Sequence, residues 1–283
     1  MSDSVLYLVA TPIGNLGDLS PRAREVLSSV DFIAAEDTRV SQKLLTACGL
    51  PRKPMISYYE HNRRARGEEV LAKLLAGESC ALVTDAGTPA VSDPGEDLVA
   101  LCAEHNVPVV PVPGCCAAVC ALAASGLPTG RWCFEGFLSV NKKARREHLD
   151  ALQGEKRTMI FYEAPHKLCA TLRDLTEAFG GARRISLSRE LTKLHEETLR
   201  MTLAEAVAYF AQTPPRGEFV LIVAGAPDVV DEDAEDDRMA RALRAVRRRI
   251  EAGETLKDAV KMVSADLGVK KNALYQLALD AQD

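Results

Sequence analysis

The chain holds 283 residues, 47% of them apolar, enough for two domains of ordinary size. No uncharged apolar stretch reaches the length of a membrane span, and the opening MSDSVLYLVATP lacks the basic region and long apolar run of a secretory signal, so a cytosolic protein with no membrane partner is expected. The net charge of −5 weighs against nucleic acid only as an average: residues 228–237, DVVDEDAEDD, hold seven acids and no base, and setting them aside leaves +2.

The basic residues are clustered as well, in RRAR at 63–66, KKARR at 142–146 and RMARALRAVRRR at 238–249. Such runs are most often solvated helix faces, but three of them on an otherwise acidic chain favour an RNA footprint. The eight cysteines form no CxxC and no histidine pair stands at ligand spacing, so no metal site is expected and the thiols read as small apolar side chains.

Short apolar runs alternate with amphipathic stretches over residues 1–126, an N-terminal α/β domain. Strands are expected at Val5–Thr11, Phe32–Ala35, Met55–Tyr58, Cys80–Thr84 and Pro108–Pro111, with helices at about 20–29, 39–48, 63–77, 94–105 and 115–125. Their near-continuous Val, Ile and Leu content suits a mainly parallel sheet covered on both faces, and Ser20-Pro21 reads as an N-cap followed by proline at the first helical position. A second α/β domain, 127–227, has strand candidates Trp132–Leu138, Thr158–Tyr162, Arg184–Ser188, Glu197–Thr202 and Glu218–Ala224, with helices at 142–152, 166–179 and 203–211. More strand per helix predicts a mixed sheet there. Residues 228–237 read as an acidic, solvated linker. The basic extension 238–283 reads as three helices: Ala240–Ile250, one capped by Thr255 and ended by Gly268, and one in VKKNALYQLAL. Helix, glycine turn and helix with Lys270 and Lys271 in its first turn is the outline of a helix-turn-helix; a helical pair packing on its own domain is the equal alternative.

LVATPIGNLGDLS (8–20) carries a strand into a turn, yet it has neither the G-x-G-x-x-G of a dinucleotide site nor a Gly-Lys-Ser/Thr phosphate loop. VTDAGTPAVSDPG (83–95) follows another strand with two glycines and two prolines to fix its backbone, while its hydroxyls and carboxylates stay free for a ligand. PVPGCCAAV (111–119) leaves a third strand with small residues. Three such loops at the carboxyl ends of one sheet's strands point to a ligand seat.

These stretches also carry a resemblance. LYLVATPIGNLGDLSPRAREVL, AEDTR (35–39), YEHN (59–62), TDAGTPAVSDPG, PVPG, FEGFL (134–138), YEAPHK (162–167), SRELTKLHEE (188–197) and RGEFVLIVAG (216–225) are similar, in order, to the tetrapyrrole methylase superfamily and within it to the ribosomal small subunit methyltransferase I family. The match spans about 220 residues; Cys115-Cys116 and the long acidic segment depart from the pattern. The resemblance implies a two-domain tetrapyrrole-methylase-like fold with a helical C-terminal extension, S-adenosylmethionine in the cleft between the domains, and a homodimer. It further implies methylation of the 2′-hydroxyl of a decoding-centre cytidine in the 16S rRNA of the 30S subunit. By motif position, the cofactor contacts would be Pro12, Asp85, Gly87, Thr88, Val91, Cys116, Ala117, Tyr162 and Gly225.

Methyl transfer needs alignment, exclusion of water and a destination for the hydroxyl proton. Catalytic candidates are Asp37 and Arg39 in AEDTR, His61 in YEHN, Glu163 beside the strand end in YEAPHK, and Arg189 and Lys193 in SRELTK, the last two as holders of RNA phosphates. The plainer readings are a helix cap with a surface pair for Asp37 and Arg39, a surface histidine for His61, and an ion-pair network for Arg189 and Lys193. Two rival functions share part of this pattern. Methylation of a tetrapyrrole (corrin or siroheme) precursor leaves the basic tail, YEAPHK and RELTK without a role. A helix-turn-helix nucleic-acid-binding ligand sensor predicts DNA affinity without methyl transfer.

Overall fold

Five short strands rich in branched apolar residues form the first sheet: β1 (Leu6–Val9), β2 (Phe32–Ala35), β3 (Met55–Ser57), β4 (Cys80–Val83) and β5 (Val109–Val112). They are all parallel, in the order β3-β2-β4-β1-β5. The structure, a computed structural model, describes residues 4–227 and 232–280 and divides into two units, Met1–Ala226 and Pro227–Asp283. Every residue of β2 and β4 is buried, as strands covered on both faces must be. Helices α1 (Pro21–Ser29) and α2 (Thr38–Ala47) cover one face through Val26, Leu27 and Leu45; α3 (Arg63–Leu75) and α4 (Glu96–Glu104) cover the other through Val70, Leu74 and Leu98. Each such side chain contributes about 1.5–3 kcal/mol by leaving water. The Ser20 hydroxyl accepts from the Ala23 N–H at 3.1 Å and Pro21 starts α1, as the Ser-Pro pair predicts.

The chain steps from β1 over β4 to β2 and β3, returns to β4, then crosses β1 to reach β5. Its direction of winding therefore reverses between β1 and β4. In open α/β sheets the crevice beyond the carboxyl ends of the strands at that reversal is where ligands sit.

The second sheet is mixed, as its strand-rich sequence predicts. It contains β6 (Trp132–Phe137), β7 (Thr158–Glu163), β8 (Arg184–Arg189), β9 (Glu197–Thr202) and β10 (Phe219–Val223), in the order β6-β7-β10-β8-β9. Only β6 and β7 pair in parallel. Helices α6 (Lys142–Ala151), α7 (Pro165–Phe179) and α8 (Leu203–Gln212) pack on one face through Leu149, Leu168, Leu172 and Phe210. Helix α5 (Ala117–Ala124) follows β5 of the first sheet and lays Ala118, Ala121 and Leu122 on Ile160, Val220 and Ile222 of the second. That helix is the physical link between the sheets. Just past β10, Gly225 is pressed against the backbone of Lys156: a Cβ there would overlap the Lys156 carbonyl.

The C-terminal unit has its own core. Helices α9 (Glu232–Glu251), α10 (Leu256–Leu267) and α11 (Lys271–Asp280) bury Ala242, Val246, Val260, Val263 and Leu274 among themselves. Thr255 caps α10 by accepting from the Asp258 N–H at 3.2 Å, and Gly268, at φ +64°, ends it. One expectation is corrected here. The stretch 228–237 is not a linker throughout, because α9 already begins at Glu232; residues 228–231 lie outside the described residues. Acids at a helix start and arginines at its end, here Arg248 and Arg249, both complement the helix dipole, so this charge pattern favours the helix.

Replacing Gly225 by alanine forces two backbone segments apart and lowers stability by about 1–3 kcal/mol, read as a shifted midpoint in urea unfolding.

Candidate active site

At the reversal point β1 runs out through Ala10-Thr11-Pro12 and β4 through Thr84-Asp85. Two backbone hydrogen bonds sew these exits together: the Thr11 N–H donates to the Gly87 carbonyl at 2.8 Å and the Gly87 N–H to the Thr11 carbonyl at 3.0 Å. The Thr11 hydroxyl adds a third, to the Thr84 carbonyl at 3.1 Å. Gly87 takes φ +85°, which suits glycine. The third loop joins by close approach. Gly114 lies on Ala10, where a Cβ would come within 2.8 Å of the Ala10 methyl, and the Thr88 hydroxyl donates to the Cys115 carbonyl at 2.8 Å. Pro12, Gly87, Thr88, Cys116 and Ala117 thus gather on one rim, with Asp85 and Val91 exposed beside them.

Past Thr88 the second loop holds strained backbone. Ala90 (φ 66°) and Ser92 (φ 60°) are left-handed without being glycine, a conformation that costs about 1–3 kcal/mol per residue and concentrates at functional sites. The second sheet meets this loop through a bulge in β6. Phe134 and Phe137 would face opposite ways in a regular strand; the register shift before Gly136 turns both toward Tyr162, with ring centroids 5.1 and 5.5 Å away. The bulge also touches the strained loop, since a Cβ on Gly136 would lie 3.3 Å from Ser92 Oγ. The Tyr162 hydroxyl accepts from the Ala118 N–H at 3.1 Å, and burial pushes its pKa up to about 12.

A fourth loop, after β8, carries the same kind of strain at Glu190 (φ 51°) and Thr192 (φ 66°). It closes on the first: a Cβ on Gly14 would overlap Lys193 and come within 2.9 Å of Thr192 Oγ1. Lys193 donates to Glu190 Oε1 at 3.0 Å and Glu218 Oε2 at 2.8 Å. Burial works against its charge, but the hydrogen bonds to Glu218 and Glu190 outweigh it and hold the lysine above its usual range.

Four carboxylates edge the crevice. Asp37 caps α2 and grips Arg39 with both oxygens, at 3.1 and 2.7 Å; these hydrogen bonds bring its pKa down to about 2. Glu36 accepts from the Asp85 N–H at 3.2 Å. Burial raises Asp85, with the Asp37 N–H pulling the other way. Asp93, half-buried, is pushed up to about 6 by burial first and then by the Glu36 charge, against a lowering contribution from Thr84. The Thr84 hydroxyl itself is buried and makes no well-formed hydrogen bond. Asp93 is absent from the residues the sequence reading selects; the signal for it was its place in the same TDAGTPAVSDPG loop as Asp85, Gly87, Thr88 and Val91.

Three expected residues are not brought to this rim. His61 is exposed after the edge strand β3, its ring edge-on to Tyr59 at 6.2 Å. Glu163 follows Tyr162 in β7 and so points to the other face, where it is buried, accepting from the Thr171 hydroxyl and from the Ala164 N–H at 2.8 Å. Gly225 lies five residues along β10 from Val220, the partner of Tyr162, a separation of about 17 Å. Arg189, at the end of β8, pairs with Glu197 at 3.2 Å. Pro12, Gly14 and Asp85 also line a groove of about 290 Å³ against Lys43 of α2, whereas a larger cavity of about 640 Å³ between α6 and α7 includes none of the loop residues.

Comparison with known proteins fits this geometry. The family described as Tetrapyrrole (Corrin/Porphyrin) Methylases matches residues 5–207. A protein of Synechocystis sp. named Ribosomal RNA small subunit methyltransferase I is 48% identical over 98% of this chain and 98% of its own length. One of the same name from Escherichia coli O157:H7 is 45% identical over 99% of this chain and 96% of its own. The chain belongs to the tetrapyrrole methylase family, in its ribosomal RNA small subunit methyltransferase I branch. Solved structures share the fold of this family at lower identity. A cobalt precorrin-4 methyltransferase is 17% identical with a TM-score of 0.56, covering 78% of this chain and 95% of its own. A Thermus thermophilus uroporphyrin-III C-methyltransferase complexed with S-adenosyl homocysteine is 20% identical with a TM-score of 0.53, covering 77% and 96%.

The opening loop carries neither a dinucleotide fingerprint nor a phosphate loop, so the pattern of this site is a different one. Close-packed backbone and small residues leave room for a flat group, the Tyr162 cluster supplies aromatic surface, and the carboxylates favour positive charge in the ligand.

Replacing Arg39 by alanine frees the Asp37 carboxylate, and its pKa rises from about 2 toward the ordinary aspartate value in a carbon-13 carboxyl titration. Because the folded-state pKa is lowered, the stability this pair supplies is present above the ordinary aspartate pKa and fades as pH falls toward 2.

Proposed function

We propose that this chain methylates 16S rRNA, transferring a methyl group from S-adenosylmethionine to the ribose 2′-hydroxyl of a decoding-centre cytidine. The observation that carries this reading is the three-loop cradle tied by the Thr11–Gly87 bridge, in a chain 45–48% identical along nearly its whole length to proteins named for small-subunit rRNA methylation. The substrate form in this proposal is the 30S subunit, the assembly a homodimer and the compartment the cytosol. Among the described residues no helix is long and apolar enough to cross a membrane.

The residues present fit the donor. Pro12, Gly87, Thr88, Cys116 and Ala117 would hold its flat part at close backbone approach, Tyr162 would bound it from the second sheet, and Asp85 would offset its positive charge. Val91 would screen it from water. Once bound, the donor supplies a methyl carbon on a positively charged sulfur. The chain's own work is to align a ribose oxygen with that carbon and to keep water away. Asp37 and Arg39, locked together at the rim, would shape the approach of the ribose. Lys193, held by two carboxylates, would fix the loop that closes over Gly14, and Arg189 would offer its charge to a phosphate. In this reading Glu163 braces the second sheet and His61 has no part in the chemistry.

The arginine run at 238–249 of α9, with Lys270 just before α11 and Lys271 at its start, supports RNA over a tetrapyrrole as substrate. Labelled methyl transfer to unmodified 30S subunits, naked 16S rRNA and a tetrapyrrole precursor decides the matter. Label in alkali-resistant dinucleotides from the subunit is the expected result; label in the tetrapyrrole alone overturns the RNA substrate. In calorimetry, Asp85→Ala weakens S-adenosylmethionine binding by about tenfold, the loss expected for one charge-assisted contact of about 1.5 kcal/mol.

A further inference from the structure

A hydroxyl oxygen that gains a methyl group must lose its proton, and the acceptor has to stand in the crevice in a basic form at neutral pH. Several described titratable groups near the crevice are unsuited. Asp37 is committed to Arg39 and is a feeble base. Lys193 is fixed as a cation by Glu190 and Glu218. The Tyr162 hydroxyl is taken up by the Ala118 N–H and held protonated. Glu163 faces the far side of its sheet, and His61 stands after the edge strand β3.

Asp93 differs on geometry. It sits half-buried between left-handed Ser92 and Pro94, on the loop that the β6 bulge touches at Ser92. The charged groups facing it are Glu36 from the end of β2 and Asp85 from the end of β4, and its own charge acts on Tyr162 of β7. It therefore lies where the crevice is bounded by both sheets. Its side chain meets the Thr84 hydroxyl, which has no well-formed partner elsewhere. No cation of the chain is paired with it among the described residues.

Resting on the methyl-transfer reading, we propose that the Asp93 carboxylate accepts the proton of the ribose 2′-hydroxyl as its oxygen is methylated. The oxygen forms its bond to the methyl carbon with the electron pair of a lone pair, the carbon–sulfur bond breaks with its pair left on the sulfur, and the hydroxyl proton goes to Asp93 and then to water. Burial first, and then crowding by Glu36 and Asp85, makes Asp93 a better base than an ordinary aspartate, consistent with its pKa of about 6. At pH 7.5 it is still charged, so it combines availability with affinity for the proton.

The test is Asp93→Asn in the full chain, with three readouts. Methyl transfer to 30S subunits at saturating S-adenosylmethionine falls by about 10²–10⁴-fold, the range for a lost general base. Calorimetric affinity for S-adenosylmethionine stays within about threefold. Unfolding at pH 8 shifts to higher temperature while unfolding at pH 4 does not. The sign follows because a carboxyl with a raised folded-state pKa loses stability as pH climbs from the ordinary aspartate value through about 6, so the full cost is present at pH 8 and little of it at pH 4. In the wild-type chain the turnover rate climbs as pH rises through about 6 and levels above it; Asp93→Asn loses that limb, and Asp93→Glu recovers part of the rate with the limb displaced. Full-rate turnover by Asp93→Asn overturns the proposal alone. A cofactor affinity lowered in step with the rate, with turnover restored at high donor concentration, also overturns it and makes Asp93 a binding residue. A wild-type chain that methylates no subunit overturns the methyl-transfer reading itself.

Discussion

The backbone bridge between Thr11 and Gly87 is the constraint on which the site rests. It pins the exit of β1 to the exit of β4, neighbouring strands whose onward connections run in opposite directions across the sheet. The loops after these two neighbouring strands otherwise part, because α1, which follows β1, and α4, which follows β4, lie on opposite faces of the sheet. Once the two exits are tied, Gly114 can rest on Ala10 and Thr88 can reach the Cys115 carbonyl, so three loops distant in sequence become one rim. Helix α5 then leaves that rim and packs on the second sheet, which brings Tyr162 to the Ala118 N–H. Cradle and sheet-to-sheet connection are therefore parts of one arrangement.

The same rim concentrates negative charge, and the fold treats each carboxylate differently. Asp37 is neutralised by Arg39, Glu36 is occupied by a backbone amide, and Asp85 and Asp93 are left under the pressure of burial and of their neighbours. An uncompensated carboxylate in a half-buried place, as Asp93 is, costs stability that a cationic ligand would relieve. The strained residues on the adjoining loops are a second such cost. Against these stand the cores on both faces of each sheet, whose apolar contacts are independent of the ligand.

What the sequence disclosed was mostly what is decided locally. Ser20-Pro21, Thr255 and Gly268 announce helix ends because a cap or a left-handed stop involves only a few neighbouring residues. The three loops were legible because glycine and proline at the ends of apolar strands have few other uses. Where the reading failed, the deciding contact was distant. Tyr162 and Glu163 are adjacent in one motif, and only strand parity sends one to the crevice and the other to Thr171. Gly225 has to be a glycine where the backbone of Lys156 crosses it, a contact the sequence does not reveal. The acidic stretch looked like solvated chain because composition does not show that its charges stand at the favourable end of a helix. Asp93 was hidden for another reason: its setting is made by Glu36 and Thr84, which reach it only through the sheet.

Ala90, Ser92, Glu190 and Thr192 all hold left-handed backbone that glycine would take without strain. Keeping a side chain at each makes the folded loops dearer but leaves the unfolded loops with fewer conformations to surrender, so the two effects partly cancel. The net result is a stiffer loop held at some cost in overall stability. A ligand entering such a cradle meets walls already in place and loses less of its binding energy to ordering the protein. By this route, part of the affinity for a small donor would come from loops whose shape the backbone has already fixed.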